Sequence, residues 1–117
     1  MPIRNFVSTL PVLTVPDLAA VQQWYVALLG EATVVPDEGV LEWEVAPGHW
    51  IQLAEETGSN CAGSVIVETS DLAELHASLL GEGFDIGEIV DYEVVKFAEL
   101  NDPAGNTIQF VEVVDNG

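Results

Sequence analysis

The chain has 117 residues, which suffices for one domain with a real core and rules out a second full domain. Hydrophobic residues make up 49% and aromatic residues 8%, and no apolar run approaches the ~18 residues of a membrane span. Asp and Glu number 20 against two basic residues, Arg4 and Lys96, for a formal charge of −18. Such a charge repels phosphate groups, so we expect neither nucleic acid nor a membrane as a partner.

The cellular compartment is indicated by the first residues and by the cysteine count. Residues 1–5 contain no charged leader followed by an apolar stretch, and Cys61 is the single cysteine. We therefore expect neither secretion nor a disulfide framework, and predict a cytoplasmic protein. The acidity itself has three explanations: attraction of a cationic ligand, solubility, or adaptation to a salty cytoplasm.

The first half of the chain predicts a strand that includes Leu10, Val12 and Thr14, then a helix, then three further strands. Asp17 is a suitable N-cap and Gly30 a suitable end, and apolar residues recur between them at helical spacing: Leu18, Val21, Trp24, Tyr25, Leu28 and Leu29. Extended runs follow at 32–35, 40–45 and 50–54. The last two runs flank a turn at 46–48, which predicts an antiparallel hairpin.

The second half predicts the same succession of elements. A strand at 65–68 precedes a helix from Asp71 to about Leu80, and strands are expected near 86–91, 94–100 and 107–113. The segment 101–106, Asn-Asp-Pro-Ala-Gly-Asn, predicts a reversal between the last two strands, because Pro fixes φ while Gly and Asn tolerate positive φ.

These two halves are an internal repeat. Val15-Pro-Asp-Leu-Ala parallels Thr69-Ser-Asp-Leu-Ala, and Pro47-Gly-His-Trp-Ile-Gln-Leu parallels Pro103-Ala-Gly-Asn-Thr-Ile-Gln-Phe. Each half therefore predicts one βαβββ module, the first at about 6–54 and the second at about 64–113. The polar, Gly-containing segment 55–63 is the expected connector.

The duplicated modules and two motifs resemble the vicinal oxygen chelate superfamily, which includes glyoxalase I, extradiol dioxygenases, fosfomycin resistance enzymes and bleomycin-binding proteins. The motifs are Asp17-Leu18 leading into the helix that ends Trp-Tyr-Val-Ala-Leu-Leu-Gly30, and the closing segment from Asp102 to Phe110. The resemblance implies an α+β fold with curved mixed sheets around a cavity and helices outside. It also implies a homodimer, and Lys96 stands where such modules often carry a basic residue.

Metal-dependent members of this superfamily carry ligands near the start of each module's first strand and in its last strand. The matching positions hold Leu10, Ser64, Gln52 and Gln109. Leu cannot coordinate, and hydroxyls and amides substitute poorly for imidazole and carboxylate, so we expect no metal and no other cofactor. His49 is expected at a turn, facing away from Gln52, and His76 on the apolar side of the second helix.

Strand alternation predicts which side chains face the implied cavity. With Gln52 and Gln109 inward, the same face should hold Trp50, Ala54, Thr107, Val111, Leu10, Val12, Thr14, Ser64, Ile66 and Glu68. Trp43, Tyr92 and Phe97 are either additional stacking surface or ordinary core or interface residues. This mixture of apolar groups, amides and one carboxylate is suited to an organic ligand that is cationic or aromatic.

Other chemistries find little support in the sequence. No phosphate-binding glycine motif is present, Cys61 lacks an evident base, and Glu42, Glu44, Glu55 and Glu56 are expected on solvated faces. The leading hypothesis is a metal-free, homodimeric small-molecule-binding protein similar to the bleomycin resistance proteins. The alternatives are a metal-dependent lyase, isomerase or transferase with an unconventional ligand set, and a non-catalytic interaction module.

Overall fold

The computed structural model describes residues 4–58 and 63–114. These residues form two units, one on each side of the gap between them. Cys61 and part of the expected connector lie outside the described residues. Among the helices described, none is long and apolar enough to cross a membrane.

The first unit consists of one helix and a four-stranded mixed sheet. Its elements in chain order are β1 Val12–Val15, α1 Leu18–Leu29, β2 Val34–Asp37, β3 Val40–Ala46 and β4 His49–Glu55. The strand order is β1-β4-β3-β2, with β1 parallel to β4 and the remaining pairs antiparallel. The helix therefore connects the edge strand β1 to the opposite edge of the sheet.

The second unit repeats this topology. Its elements are β5 Ser64–Glu68, α2 Leu72–Gly81, β6 Val90–Asp91, β7 Val95–Asn101 and β8 Thr107–Val113. The strand order is β5-β8-β7-β6, again with one parallel pair, β5 and β8. The predicted α+β class with two βαβββ modules is thus confirmed.

One face of each sheet carries the buried apolar side chains. In the first unit, Leu13, Val15, Leu41, Trp43, Ile51 and Leu53 alternate along the strands and are almost fully buried, as are Leu18, Val21 and Tyr25 of α1. The ring centroids of Tyr25 and Trp43 are 6.0 Å apart, which shows that α1 packs on this face. The second unit has the same arrangement, with Val65, Ala98, Leu100, Ile108 and Phe110 on the sheet and Leu72 and Leu79 on α2.

The helix N-termini are held by glutamates from the last strand of each unit. Glu55 Oε2 accepts a hydrogen bond from the Leu18 N–H at 2.8 Å, and Glu112 Oε1 accepts one from the Leu72 N–H at 2.7 Å. Asp17 has the extended backbone of an N-cap but makes no side-chain cap bond, so the expected role of its carboxylate was wrong. Glu55 is thus a capping residue of the fold as well as part of a solvated face.

The turn between β7 and β8 is organised around a buried carboxylate. Asp102 is 5% exposed, and its Oδ1 accepts hydrogen bonds from the backbone N–H groups of Ala104, Gly105 and Asn106 at 2.7–2.9 Å. Asn106 Nδ2 donates to Asp102 Oδ2 at 3.0 Å, and the Gly63 N–H donates to Asn106 Oδ1 at 3.0 Å. The predicted reversal is therefore confirmed, and it also attaches the residue before β5.

Two strands differ from their predicted bounds by two residues or more. The run expected at 86–91 forms a strand only at Val90–Asp91, although Ile86 is buried. The first strand after α1 is Val34–Asp37 rather than 32–35, and its pairing with β3 shifts register. Both are edge strands, where pairing on one side only defines the ends of a strand weakly.

Candidate functional site

The side chains predicted to share a face with the two glutamines lie on the sheet face that points away from the helix, which we call the distal face. In the first unit this face carries Thr14, Trp50, Gln52 and Ala54, all half-buried. Val12 lies directly opposite Gln52 in the β1–β4 register. Leu10 precedes β1 and is exposed, so it has no register position in the sheet.

The distal face of the second unit carries the equivalent residues. Ser64, Ile66 and Glu68 of β5 lie opposite Thr107, Gln109 and Val111 of β8. Phe97 of β7 lies opposite Val111 on its other side, and Glu99 lies opposite Gln109. Glu68, Val111 and Phe97 therefore form one cross-strand row, and Ile66, Gln109 and Glu99 form the next.

Each glutamine is paired with a glutamate on the neighbouring strand. Gln52 Nε2 donates a hydrogen bond to Glu42 Oε2 at 2.7 Å in the first unit. Gln109 Nε2 donates to Glu99 Oε1 at 3.3 Å in the second. Sequence reasoning missed these partners and assigned Glu42 to a solvated face, whereas it is half-buried. The signal was present, because both glutamates precede their glutamine by ten residues.

Aromatic rings accompany these pairs on both distal faces. Tyr92 and Phe97 stack with ring centroids 5.6 Å apart and planes inclined by 24°, and Tyr92 is 61% exposed. In the first unit Trp50 lies opposite Glu44 in the β3–β4 register. Trp43 is on the other face, 2% exposed, with its Nε1–H donating to the Gly30 carbonyl at 2.8 Å. Of its two alternatives, Trp43 therefore fits the core.

Both distal faces carry glutamate side chains. Glu42 and Glu44 lie on the first, and Glu68 and Glu99 on the second. Lys96 lies on the helix-facing side of its sheet, opposite Glu112 and Asp91 in register, and Arg4 precedes β1. Within residues 4–58 and 63–114, no basic side chain therefore lies on the strands of either distal face.

The donor groups beside the glutamines do not fit a divalent transition metal. The neighbours of Gln52 and Gln109 on β1 and β5 are Val12 and Ile66, which have no coordinating atom. Each amide nitrogen is engaged by a glutamate, and in the described part of the chain no three His, Cys, Asp or Glu side chains form a metal-binding group. Imidazole and carboxylate sets of the usual kind cannot be assembled from these residues.

Both histidines lie away from the distal faces. His49 is exposed at the start of β4. His76 is half-buried on α2, and its Nε2 lies 2.8 Å from the Gly87 carbonyl, a contact that connects the helix to the segment before β6. Their positions agree with the turn and helix locations expected from the sequence.

Comparison with known proteins identifies the fold. Neither family models nor curated protein sequences match the chain. A glyoxalase/bleomycin resistance protein from Catenulispora acidiphila DSM 44928 matches with a TM-score of 0.82 and 24% identity, over 93% of this chain and 100% of that chain. The bleomycin resistance determinant encoded on transposon Tn5 matches with a TM-score of 0.73 and 19% identity, over 92% of this chain and 98% of that chain.

An enzyme is also among the similar structures. The lactoylglutathione lyase from Agrobacterium tumefaciens matches with a TM-score of 0.75 and 14% identity, over 94% of this chain and 95% of that chain. Likeness at these identities establishes architecture rather than activity. The chain thus has the glyoxalase/bleomycin resistance fold, as its resemblance to the vicinal oxygen chelate superfamily predicted.

Proposed function

We propose that the chain is a metal-free small-molecule-binding protein whose ligand is an organic cation with an aromatic ring. The observation that carries this proposal is the distal face of the second unit. There the Tyr92–Phe97 stack shares one sheet face with the carboxylates of Glu68 and Glu99 and the amide of Gln109. An aromatic platform bordered by carboxylates favours a flat cation over a neutral or anionic compound.

The spacing on this face suits one ligand that uses all of these groups. Glu99 follows Phe97 by two residues on β7, about 7 Å along the strand, and Glu68 lies two strands away, roughly 10 Å across the sheet. A ring that stacks on Phe97 can therefore carry a cationic substituent towards either carboxylate. Ile66, 67% exposed, offers further apolar surface beside them.

The first unit offers a second surface of similar chemistry. Trp50 is half-buried, lies opposite Glu44, and is two residues from Gln52 on β4. The −18 charge supports the same ligand class, because a field of one sign concentrates ligands of the opposite sign. The proposal includes a homodimer in the cytoplasm that sequesters its ligand, as a resistance protein would; one of the similar structures is a bleomycin resistance determinant.

Titration calorimetry tests this function directly. We expect bleomycin-like glycopeptides or smaller cationic aromatic compounds to bind at low salt, and neutral or anionic analogues to bind at least tenfold more weakly. Phe97→Ala should weaken the binding of any aromatic cation. Glu68→Gln should weaken the binding of cations more than the binding of neutral compounds. Trp50→Ala tests whether the distal face of the first unit also binds the ligand. Absence of binding by every cationic aromatic compound tried would overturn the proposal.

The likeness to a lactoylglutathione lyase favours one alternative, a metal-dependent enzyme. That alternative requires near-stoichiometric metal in protein purified without chelator, or activity that returns when Zn, Mn, Ni or Fe is added. Plasma mass spectrometry of untagged protein measures the metal content. Stoichiometric metal would replace the binding proposal with a search among lyase, isomerase and dioxygenase reactions.

A further inference from the structure

The orientation of the two glutamines restricts the chemistry of the ligand. A carboxylate can only accept hydrogen bonds, so Glu42 and Glu99 each turn the amide nitrogen of the facing glutamine towards themselves. The amide oxygen of each glutamine is then directed the other way. Each pair presents a carboxylate oxygen and an amide oxygen as hydrogen-bond acceptors on the same distal face.

The third residue of each row contributes no polar atom. Val12 lies beside Gln52 and Ile66 lies beside Gln109 in the parallel strand pairs. In both units the row therefore consists of an apolar residue, a glutamine and a glutamate in the same order across the three strands. A ligand group that donates hydrogen bonds and carries positive charge satisfies both acceptors, whereas an anion is repelled by the carboxylate.

The same pair recurs although its surroundings differ. The position that Thr14 occupies in the first unit is occupied by Glu68 in the second, and the position of Val40 is occupied by Phe97. An aromatic ring is nevertheless present two residues from one member of each pair: Trp50 from Gln52, and Phe97 from Glu99. Each unit thus combines a carboxylate and an amide oxygen with a ring about 7 Å away along the strand.

We propose that each glutamine–glutamate pair, Gln52 with Glu42 and Gln109 with Glu99, binds one planar cation of the amidinium or guanidinium type, so that one chain holds two such groups. This inference rests on the proposed function and specifies its ligand class. A planar N–C–N group offers two N–H donors along one edge, which can pair with the two oxygens of one carboxylate as a single ammonium cannot. The attached ring or chain lies over Trp50 or Phe97.

Titration of the full chain with benzamidinium at low ionic strength tests this inference. We expect two binding events per chain, and no binding by neutral benzamide or anionic benzoate. Glu42→Gln and Glu99→Gln keep an acceptor for the glutamine but remove the charge, so each should weaken one of the two events roughly tenfold. A fluorescence change that occurs in the unchanged protein but not in Trp50→Phe comes from Trp50 among the three tryptophans, and it assigns the event that Glu42→Gln affects to the first unit.

The matched control is Glu88→Gln, which changes the net charge equally at an exposed position outside the strands. It should leave both binding events within about twofold of the unchanged protein, since its effect is limited to the screened long-range field. Circular dichroism of each variant verifies that it is folded. A Glu88→Gln effect as large as that of Glu42→Gln would mean that net charge alone attracts the cation, and would overturn the inference.

The remaining outcomes separate this inference from the proposed function. If benzamidinium binds but neither Glu42→Gln nor Glu99→Gln weakens it, the pairs are not the receptor and only the proposed function survives. The same conclusion follows if benzamidinium fails to bind while a larger aromatic ammonium compound does. If no cationic aromatic compound binds, both proposals are wrong.

Discussion

Trp43 and Trp50 lie on neighbouring strands of one sheet but on its two different faces. Trp43 is buried against Tyr25 and donates a hydrogen bond to Gly30, whereas Trp50 is half-buried on the distal face. Hairpin pairing decides this difference, because Trp43 lies opposite Ile51 and therefore shares the face of the core.

This difference predicts that the same substitution lowers the free energy of unfolding much more at Trp43 than at Trp50. Trp43→Phe should lower the free energy of unfolding by about 2 kcal/mol, since it removes a hydrogen bond and leaves a void in the core. Trp50→Phe should change it by less than about 0.5 kcal/mol. Urea denaturation measures both. Equal destabilisation by the two variants would contradict the assignment of faces.

Asp102 shows how one buried carboxylate organises a turn. Its two oxygens accept from three backbone N–H groups and from the Asn106 amide, and both side chains are almost inaccessible to solvent. In Asp102→Asn one of these oxygens becomes an amide nitrogen that faces another donor.

We expect Asp102→Asn to lower the free energy of unfolding by about 3 kcal/mol, because buried donors lose a charged acceptor. The exposed residue Asp85 provides the control, and Asp85→Asn should have an effect below about 0.5 kcal/mol. Urea denaturation at neutral pH compares them. An Asp102→Asn variant with an unchanged free energy of unfolding would show that the turn does not depend on the carboxylate.

At the scale of elements, the two helices differ in how their N-termini are capped. The first N–H of α1 is satisfied by Glu55, and Asp17 adds no side-chain cap bond. The first turn of α2 has two partners, Glu112 for Leu72 and Asp71 for Glu74. Because both glutamates come from the last strand of the unit, each cap also attaches its helix to the sheet.

Alanine substitutions should reveal this asymmetry. We expect Glu55→Ala to lower the free energy of unfolding by about 1 kcal/mol and Asp17→Ala by less than about 0.5 kcal/mol. In the second unit both Glu112→Ala and Asp71→Ala should be destabilising, each by about 1 kcal/mol. Thermal and urea denaturation check the order. A larger effect of Asp17→Ala than of Glu55→Ala would restore the role first expected for Asp17.

The elements themselves were largely predictable from local patterns. Apolar spacing and Gly30 defined α1, the strand 107–113 was predicted with its observed bounds, and the turn before it followed from Pro103 and Gly105. The short β6 was overestimated, because burial of Ile86 produces an apolar pattern without strand pairing. Local patterns report burial, and only pairing partners decide whether a buried residue belongs to a strand.

At the scale of the whole molecule, charge repulsion opposes folding. A formal charge of −18 on 117 residues means that negative charges far outnumber positive ones. Salt shortens the range of this repulsion from about 30 Å at 0.01 M to about 3 Å at 1 M.

We therefore expect the melting temperature to rise by at least about 5 °C between 10 mM and 1 M sodium chloride, because screening removes repulsion that is stronger in the compact state. Differential scanning calorimetry measures the change. Sucrose serves as a control for stabilisation by a cosolute in general, since it is excluded from the protein surface but does not screen charge. A melting temperature independent of salt would show that self-repulsion contributes little.

The sequence by itself determined the order of the elements, the duplication and the excess of negative charge, because helical spacing, caps and turns are encoded within a few residues of one another. It also predicted the distal faces, since strand alternation is strictly local. Tertiary structure decided which partners those residues meet: Glu55 reaches Leu18 across 37 positions, and each glutamine meets a glutamate ten positions away. The physical reason is strand pairing, which joins residues that no local pattern connects.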